Sequence, residues 1–365
     1  MSPSRSAARF AFPVLLLALL APPAAAQAVV KVSDDVHFKL GFQVQGWADW
    51  SRSATTGGWA QNLFLRRTRV LLGGQLAKNV TFFFETDSPD LGRSKGGVKT
   101  VSSGFEIQDA LLSYRFDDAL TLELGHFLVP LSRNILQSTA SYLTLDISAT
   151  STVMVAPTQT NLLRDNGFQA RGYLLDGGRL EYRLAAMQGA RDAGSQNAFR
   201  TAGYLQYNLF ETEKGYVFAG TYLGKKKVLA ASAGFDVQKD YRAFSGDVFA
   251  ALPVGAGDEV GGQVQFLRYD GGEFLPAIPR QDDLLVEAGW YVASAKLQPF
   301  AKYERQSHAR AADFSRDVER FGLGLNYYHA GQSLKLTVQL LRVEPKSPSL
   351  KATSQLTLQV QAFYF

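Results

Sequence analysis

Apolar and polar residues alternate with a period of two along most of the chain, from residue 36 to residue 365. Near the C-terminal end, Leu356, Leu358 and Val360 alternate with Thr357 and Gln359. This period is typical of β-strands that have one apolar and one polar face. Turn-forming residues divide the alternation into pieces of about ten residues, a length typical of membrane-spanning strands joined as antiparallel hairpins. The chain is therefore predicted to be all-β and antiparallel.

Such strands could form a soluble sheet or a membrane barrel, and three features favour the membrane. The predicted strands, at about 9–15 residues, are long enough to cross the apolar band of a bilayer when tilted. Aromatic pairs such as Trp47 with Trp50 and Tyr327 with Tyr328 lie near strand ends, which suits the girdles at the membrane interfaces. The polar faces carry Gly, Gln, Thr and charged residues, which suit a watery lumen better than a dry core.

Sixteen strands are predicted, and parity supports the number because single-chain bacterial barrels have an even number. A strand at 216–222 would make the number odd, so residues 211–227 are interpreted as an elaborated periplasmic turn. The longer connections then all lie on the external side, as is usual for these barrels. The predicted strands are 36–50, 62–76, 79–87, 105–115, 119–127, 166–175, 179–188, 198–209, 227–238, 241–252, 258–270, 282–294, 297–306, 317–329, 332–343 and 352–365.

The first residues have the composition of an export signal. Arg5 and Arg9 precede an apolar run at 11–20, and three alanines follow it. A basic start, a short apolar core and small residues at the cut are typical of a signal peptide. The apolar run is too short for a membrane anchor, which needs ~20 residues. The predicted division is a signal peptide at 1–26, cut after Ala26 or alternatively Ala28, and a transmembrane barrel at 27–365.

Charge and residue types argue against several other functions. The formal net charge of +5 includes Arg5 and Arg9, so the mature chain carries +3, too little to indicate a nucleic-acid partner. The chain has no cysteine and four histidines, which leaves little material for a metal centre. No G-x-S-x-G elbow, H-E-x-x-H motif or Walker loop occurs in the sequence. No enzyme activity, cofactor or metal site is predicted.

Several blocks spread along the mature chain match the pattern of one family in order. They are Phe64-Leu-Arg-Arg-Thr-Arg-Val-Leu-Leu-Gly-Gly-Gln-Leu, Glu85-Thr-Asp, Ile107-Gln-Asp-Ala-Leu-Leu-Ser-Tyr, Leu122-Glu-Leu-Gly-His-Phe-Leu-Val-Pro-Leu-Ser, Arg164-Asp-Asn-Gly-Phe-Gln-Ala-Arg-Gly and Thr221-Tyr-Leu-Gly-Lys-Lys-Lys-Val-Leu. In these blocks the sequence resembles the phosphate-selective porin O and P family. The resemblance implies a sixteen-stranded barrel, a homotrimer, and a lumen narrowed by a third loop that folds inward.

The connection in the position of that third loop is residues 128–165, the longest in the chain. A connection of this length is expected to be either functional or disordered, and its apolar residues favour a packed constriction over a disordered external loop. Family members are understood to line the narrowest point with lysines and a ladder of arginines. This loop has no lysine, and its charged residues balance, so the lysines of a phosphate-specific site have no counterpart here. The candidate constriction residues are Arg133, Asp146, Arg164 and Asp165.

If the apolar phase of each strand faces lipid, arginines and carboxylates interleave on the phase that faces the lumen. Opposed rows of charge would create a transverse field that orients polar solutes, whereas the plainer interpretation is charge balance inside a polar cavity. Arg66 lies on the lipid phase, which a β-bulge or snorkelling to the interface would explain. The predicted lumen wall comprises Arg67, Arg69, Glu85, Asp87, Asp109, Arg115, Glu123, Gln169, Arg171, Glu181 and Arg183.

The function predicted from these features is an outer-membrane porin for passive diffusion of small hydrophilic solutes. The external connections lean basic, which favours a mild preference for anions, phosphate-like anions among them, or contact with anionic lipopolysaccharide. The expected partners are outer-membrane lipid, lipopolysaccharide, the barrel-assembly machinery and the solutes, with no nucleic acid. A structural or adhesive barrel with a plugged lumen, and less so a barrel enzyme, are the alternatives.

The last strand carries the candidate assembly signal, Phe365, because outer-membrane barrels commonly end in an aromatic residue. Tyr364 continues the apolar phase of its strand, whereas Phe363 and Phe365 fall on the phase of Gln361. Either Tyr364 belongs to the girdle and the two phenylalanines close the periplasmic rim of the lumen, or a local twist turns them outward.

Overall fold

The computed structural model of the protein describes residues 28–54, 56–95, 97–101 and 104–365, and the predicted signal peptide lies outside them. Sixteen long strands lie within this part of the chain. They are β1 (His37–Arg52), β2 (Trp59–Ala77), β3 (Val80–Asp87), β4 (Glu106–Arg115), β5 (Thr121–Leu128), β6 (Arg164–Leu174), β7 (Leu180–Met187), β8 (Arg200–Asn208), β9 (Val228–Gln238), β10 (Tyr241–Val254), β11 (Asp258–Asp270), β12 (Gln281–Tyr291), β13 (Leu297–His308), β14 (Val318–Gln332), β15 (Leu334–Pro345) and β16 (Thr353–Tyr364).

The strands form one closed antiparallel barrel. Each pairs with the next along the chain, and β16 pairs with β1 in a register that runs from Gln355 opposite Ser51 to Tyr364 opposite Phe42. In lipid an unpaired backbone group has no water to bond, and closure removes the free edges that would leave such groups unsatisfied. The predicted sixteen-stranded barrel is confirmed.

Short strands and short helices accompany the sixteen long strands of this barrel. Ala28–Lys31 pairs with the start of β1, and Ser94–Lys95 pairs with Val98–Lys99 in the connection after β3. The helices in the described residues are short 3₁₀ helices at Ala149–Thr152, Asp176–Gly178 and Ala311–Arg316. None of them is long and apolar enough to cross a membrane.

The alternation in sequence corresponds to the two faces of the barrel. On β11 the outward-facing Val264 and Phe266 are exposed, whereas Gln263 and Gln265 are buried on the inner face. The two members of an aromatic pair such as Trp47 with Trp50 or Tyr327 with Tyr328 also lie on opposite faces, because side chains alternate between the faces along a strand. The prediction that Trp47 and Tyr328 are girdle residues is therefore wrong, since both side chains are buried on the inner side.

The connections differ at the two ends of the barrel. Turns such as 78–79 and 255–257 are short at one end, here called the turn end, and most longer connections lie at the other, the loop end. Two connections matter for the lumen. Residues 129–163, between β5 and β6, are called the inner loop, and residues 209–227, between β8 and β9 at the turn end, the inner turn.

Arginine substitutions on the outer face test whether that face contacts lipid. Val264 lies midway along β11 and Val254 at the turn end of β10, and their exposed fractions are 48% and 49%. An arginine costs about 2–4 kcal/mol at the bilayer midplane and about 0–1 kcal/mol near an interface. Val264→Arg should lower the free energy of unfolding by the larger amount, measured by denaturant titration in lipid vesicles. Equal losses for Val264→Arg and Val254→Arg would contradict the assignment.

Candidate pore and its constriction

The inner loop lies inside the barrel. Its ends meet where the Val129 N–H donates to the Leu163 carbonyl at 2.9 Å, so the loop leaves and re-enters the wall at one place. Between these points its residues bond to strands on several sides of the wall. Thr139 donates to Gln43 of β1 at 2.8 Å, and Thr144 donates to Glu287 of β12 at 2.5 Å. The connection thus occupies the lumen, where the family resemblance placed it.

One side of the inner loop packs against an apolar part of the wall. Leu131, Leu136 and Met154 belong to the same buried cluster as Tyr204 of β8 and Tyr269 of β11. Burying an apolar side chain of this size contributes about 1.5–3 kcal/mol. This packing explains why the loop is an ordered element and not a disordered external segment. It also explains why the inner faces of β8, β10 and β11 carry apolar residues.

The inner turn also enters the lumen and meets the inner loop there. The Phe218 N–H donates to the Leu136 carbonyl at 2.8 Å, and the Ser138 N–H donates to the Phe218 carbonyl at 2.9 Å. The sequence interpretation of residues 211–227 as a turn, not a strand, is correct. That interpretation did not predict that the turn folds inward, although its aromatic residues Tyr216, Phe218 and Tyr222 were a signal of burial.

A buried ion pair joins the inner loop to the inner turn. The Arg133 guanidinium donates to both carboxylate oxygens of Glu213, at 2.6 and 2.7 Å, and to the Ala219 carbonyl at 3.0 Å. The Cζ atom of this guanidinium lies 3.6 Å from the ring centre of Phe249 and 4.8 Å from the ring centre of Phe218. This two-pronged geometry is the strongest form of an arginine–carboxylate contact. Arg133 therefore holds the two inward segments against each other and against β10.

Two carboxylates of the inward segments are stabilised in their charged forms. Burial alone would raise the pKa of Glu213, but the adjacent Arg133 outweighs it and lowers that pKa. Burial likewise opposes ionisation of Asp146, yet Arg66 and Arg67 hold its pKa below the usual value. Their contribution to stability is complete above the unfolded pKa and is lost as pH falls through the lowered folded value.

Asp146 attaches the inner loop to β2 through a β-bulge. Gln45 pairs with Arg67 while Gly46 pairs with Leu65, so Arg66 is the extra residue of the bulge. The bulge turns both arginines toward Asp146, with nitrogen–oxygen distances of 3.0 Å from Arg66 and 2.6 Å from Arg67. Of the two explanations for the phase of Arg66, the bulge is therefore the one that the structure supports.

The predicted charged residues lie on the inner wall, and their charges are paired. Arg69 contacts Glu85 at 2.6 Å and Asp87 at 2.9 Å. Gln169 donates to Glu123, and the remaining wall pairs are Arg67 with Asp146, Arg164 with Asp109, Arg171 with Glu123 and Arg183 with Glu181. Asp165 accepts the N–H groups of Asn166 and Gly189. This arrangement corresponds to charge balance more closely than to two opposed rows of free charge.

The turn end of the lumen contains the remaining predicted residues. Arg115 is exposed at the rim, where it pairs with Asp118. Tyr364 stacks outside on Phe42 at 6.2 Å between ring centres, whereas Phe365 packs edge-on against Phe83, 5.6 Å away. Gly41 and Gly73 lie against the Phe365 side chain. The first of the two alternatives for these residues is thus the correct one: Tyr364 faces out and the phenylalanines line the rim.

Several inner residues were not singled out from the sequence. Besides Glu213 and the aromatic residues of the inner turn, they include buried amides that bond to the inner loop. Gln361 donates to the Ala140 carbonyl at 2.8 Å, and Asn326 donates to the Leu143 carbonyl at 2.8 Å. Their alternation with apolar residues was visible, but their partner was not. Further ion pairs of the inner wall are Arg200 with Asp236 and Lys302 with Glu304.

Comparison with protein families gives one match, which covers just over half of the chain. The model described as "Phosphate-selective porin O and P" matches residues 38–221. The chain belongs to this family. Family and fold together support an outer-membrane porin channel and indicate an outer-membrane location. Comparison with curated protein sequences gives no significant match.

Solved porin structures share the fold at low sequence identity. The anion-selective porin from Comamonas acidovorans has a TM-score of 0.63 at 14% identity, covering 90% of this chain and 99% of that one. The high-pH structure of Pseudomonas putida OprB has a TM-score of 0.63 at 9% identity, with coverages of 90% and 94%. The outer-membrane channel DcaP of Acinetobacter baumannii has a TM-score of 0.57 at 12% identity, with coverages of 92% and 99%.

Removing Arg133 tests the link between the two inward segments. Arg133→Met leaves the Glu213 carboxylate buried without its cation, which typically costs about 3–5 kcal/mol. Arg268→Met is the matched control, because Arg268 pairs with Asp282 on the exposed outer face, where such a pair contributes about 0–1 kcal/mol. Equilibrium unfolding in lipid vesicles should show the larger loss for Arg133→Met and a partial recovery in Arg133→Met/Glu213→Leu. Similar losses for Arg133→Met and Arg268→Met would rule out the proposed link.

Proposed function

We propose that this porin is a narrow channel for passive diffusion of small hydrophilic solutes, with a weak preference for anions. The observation that carries the proposal is the position of the inner loop inside a closed sixteen-stranded barrel. Barrels of this strand number enclose more space than their own side chains can fill and leave an aqueous channel. A loop and a turn that occupy part of that space would narrow the channel without removing it.

The polar side of the inner loop supports a route for solutes. Toward β1 and β12–β16 the loop contacts the wall through hydrogen bonds from Gln45, Lys335 and Gln361. Apolar packing on this side includes a small cluster of Leu145 with Trp47 and Phe64. The side chains of Gln45, Lys335 and Gln361 are buried, so a solute on this side would have to replace their bonds to loop carbonyls with bonds of its own. The apolar packing against β8–β11 offers no such route. We therefore assign the solute path to the side of β1–β4 and β12–β16.

The charge distribution supports weak selectivity. The ion pairs of the inner wall largely cancel, so the wall offers little free charge to a passing ion. The loop-end connections other than the inner loop carry ten basic and six acidic residues, which would raise the concentration of anions at the mouth. The inner loop has no lysine, and this argues against high-affinity phosphate binding. The shared fold of the anion-selective porin from Comamonas acidovorans is consistent with this proposal.

A plugged structural barrel is the second candidate, and one observation favours it. Inner-face residues at the height of the inner loop, such as Thr357, Gln359 and Gln361, are buried.

The homotrimer, contact with lipopolysaccharide and recognition of Phe365 by the assembly machinery also belong to the proposal. The homotrimer rests on the family, the contact with lipopolysaccharide on the basic external connections, and the role of Phe365 on a pattern common to outer-membrane barrels.

Planar-bilayer recording of the purified protein tests the channel and its selectivity. We expect single channels of low conductance, because two segments narrow the lumen, and a small reversal potential of anion-selective sign in a potassium chloride gradient. Micromolar phosphate should leave the chloride current unchanged. Protein that inserts without conducting would support the plugged barrel. Block of the chloride current by micromolar phosphate would contradict the proposed selectivity.

A further inference from the structure

A cavity of about 400 Å³ lies in the turn-end half of the lumen. It is lined by β1–β6, the inner loop, the inner turn and the end of β16. Its volume falls within the range of small-molecule sites, about 300–1,000 Å³. None of the ion pairs described above requires such a space, and the residues that line it indicate which ligand it would accept.

Much of the lining is aromatic. Phe83 is at the centre of the group, with its ring 5.6 Å from Phe365 and 5.9 Å from Tyr216. Phe363 and Tyr142 also line the cavity. Aromatic rings held by one another present a rigid surface, which favours edge-on or offset contacts with another ring. The walls thus favour a flat, apolar group of similar size.

The charged residues in the lining are already neutralised. Arg69 contacts Glu85 at 2.6 Å, and Arg164 contacts Asp109 at 2.9 Å. The Tyr216 hydroxyl also donates to Asp109, at 2.5 Å. A bare anion or cation would lose its hydration in this cavity without gaining an unpaired opposite charge. The lining therefore favours an uncharged ligand.

One polar group in the lining has no partner. Gln43 is 2% exposed, and its Oε1 accepts from the Thr139 hydroxyl at 2.8 Å. Its Nε2 is buried and has no hydrogen-bond acceptor among the described residues. A buried donor without an acceptor is unfavourable, and a ligand that supplies an acceptor relieves that cost. Gln43 lines the cavity, so a rotation of its amide would present this donor to a ligand and specify one polar feature of it.

We infer that this cavity binds a small uncharged aromatic solute that carries a hydrogen-bond acceptor, with the ring against Phe83 and the acceptor on Gln43 Nε2. The inference rests on the proposed function in one respect, because the solute would reach the cavity through the lumen. Binding in the cavity does not itself require that the protein conducts. Benzamide is a suitable probe because it joins an uncharged ring to a carbonyl acceptor. Benzoate adds a charge, and acetamide removes the ring.

Isothermal titration of the purified, folded protein in detergent micelles tests the inference, with protein-free micelles as the baseline. Benzamide should bind saturably to the natural chain, and benzoate and acetamide more weakly. Gln43→Leu, which removes the donor, and Phe83→Ala, which removes the ring, should each weaken benzamide binding about tenfold or more. Phe266→Ala is the matched control, because Phe266 is exposed on the outer face of the barrel.

Absence of saturable benzamide binding to the natural chain would overturn the inference. It would also be overturned if benzoate or acetamide bound as well as benzamide, a comparison that needs no variant to fold. Equal affinities of Gln43→Leu, Phe83→Ala and Phe266→Ala would contradict the assigned contacts. Benzamide binding by a protein that does not conduct would support the site while contradicting the proposed channel.

Discussion

Backbone N–H and C=O groups inside a bilayer have no water to bond, and this requirement determines the rest of the structure. It is met here by a ring of sixteen strands in which β16 pairs with β1. A ring of this size encloses a space too wide for its own side chains to fill. The inner face must then either contact water or be covered by other parts of the chain. The inner loop and the inner turn cover it in part.

The way in which these two segments are held determines the chemistry of the lumen. Arg133 and Glu213 connect them, and Asp146 attaches the inner loop to β2. Because each such anchor joins opposite charges, the wall keeps many ionic groups but little free charge. Discrimination between solutes then depends on size, on hydrogen bonding and, near Phe83, on aromatic contact. This differs from a row of unpaired lysines, which would attract phosphate specifically.

The sequence predicted what depends on local periodicity. The strands and their inward and outward faces follow from alternation, parity supported the number sixteen, and the phase of Arg66 left a bulge as one of two explanations. The aromatic residues of 209–227 signalled burial, but the inward course of this turn could not be read locally. Phe218 lies against Arg133 and bonds through its backbone to Leu136, and both of these residues are far from it in the sequence. The cavity beside Gln43 was equally inaccessible, since it is enclosed by segments far apart in the chain.

The most direct test of the account is the single-channel conductance of a variant in which a short Gly-Ser linker replaces residues 131–161. Since the Val129 N–H bonds to the Leu163 carbonyl, the linker can close the gap without disturbing β5 or β6. If the inner loop narrows the pore, the conductance in planar bilayers should rise several-fold above that of the natural chain. An unchanged conductance from a correctly folded variant would contradict the claim that this loop constricts the lumen.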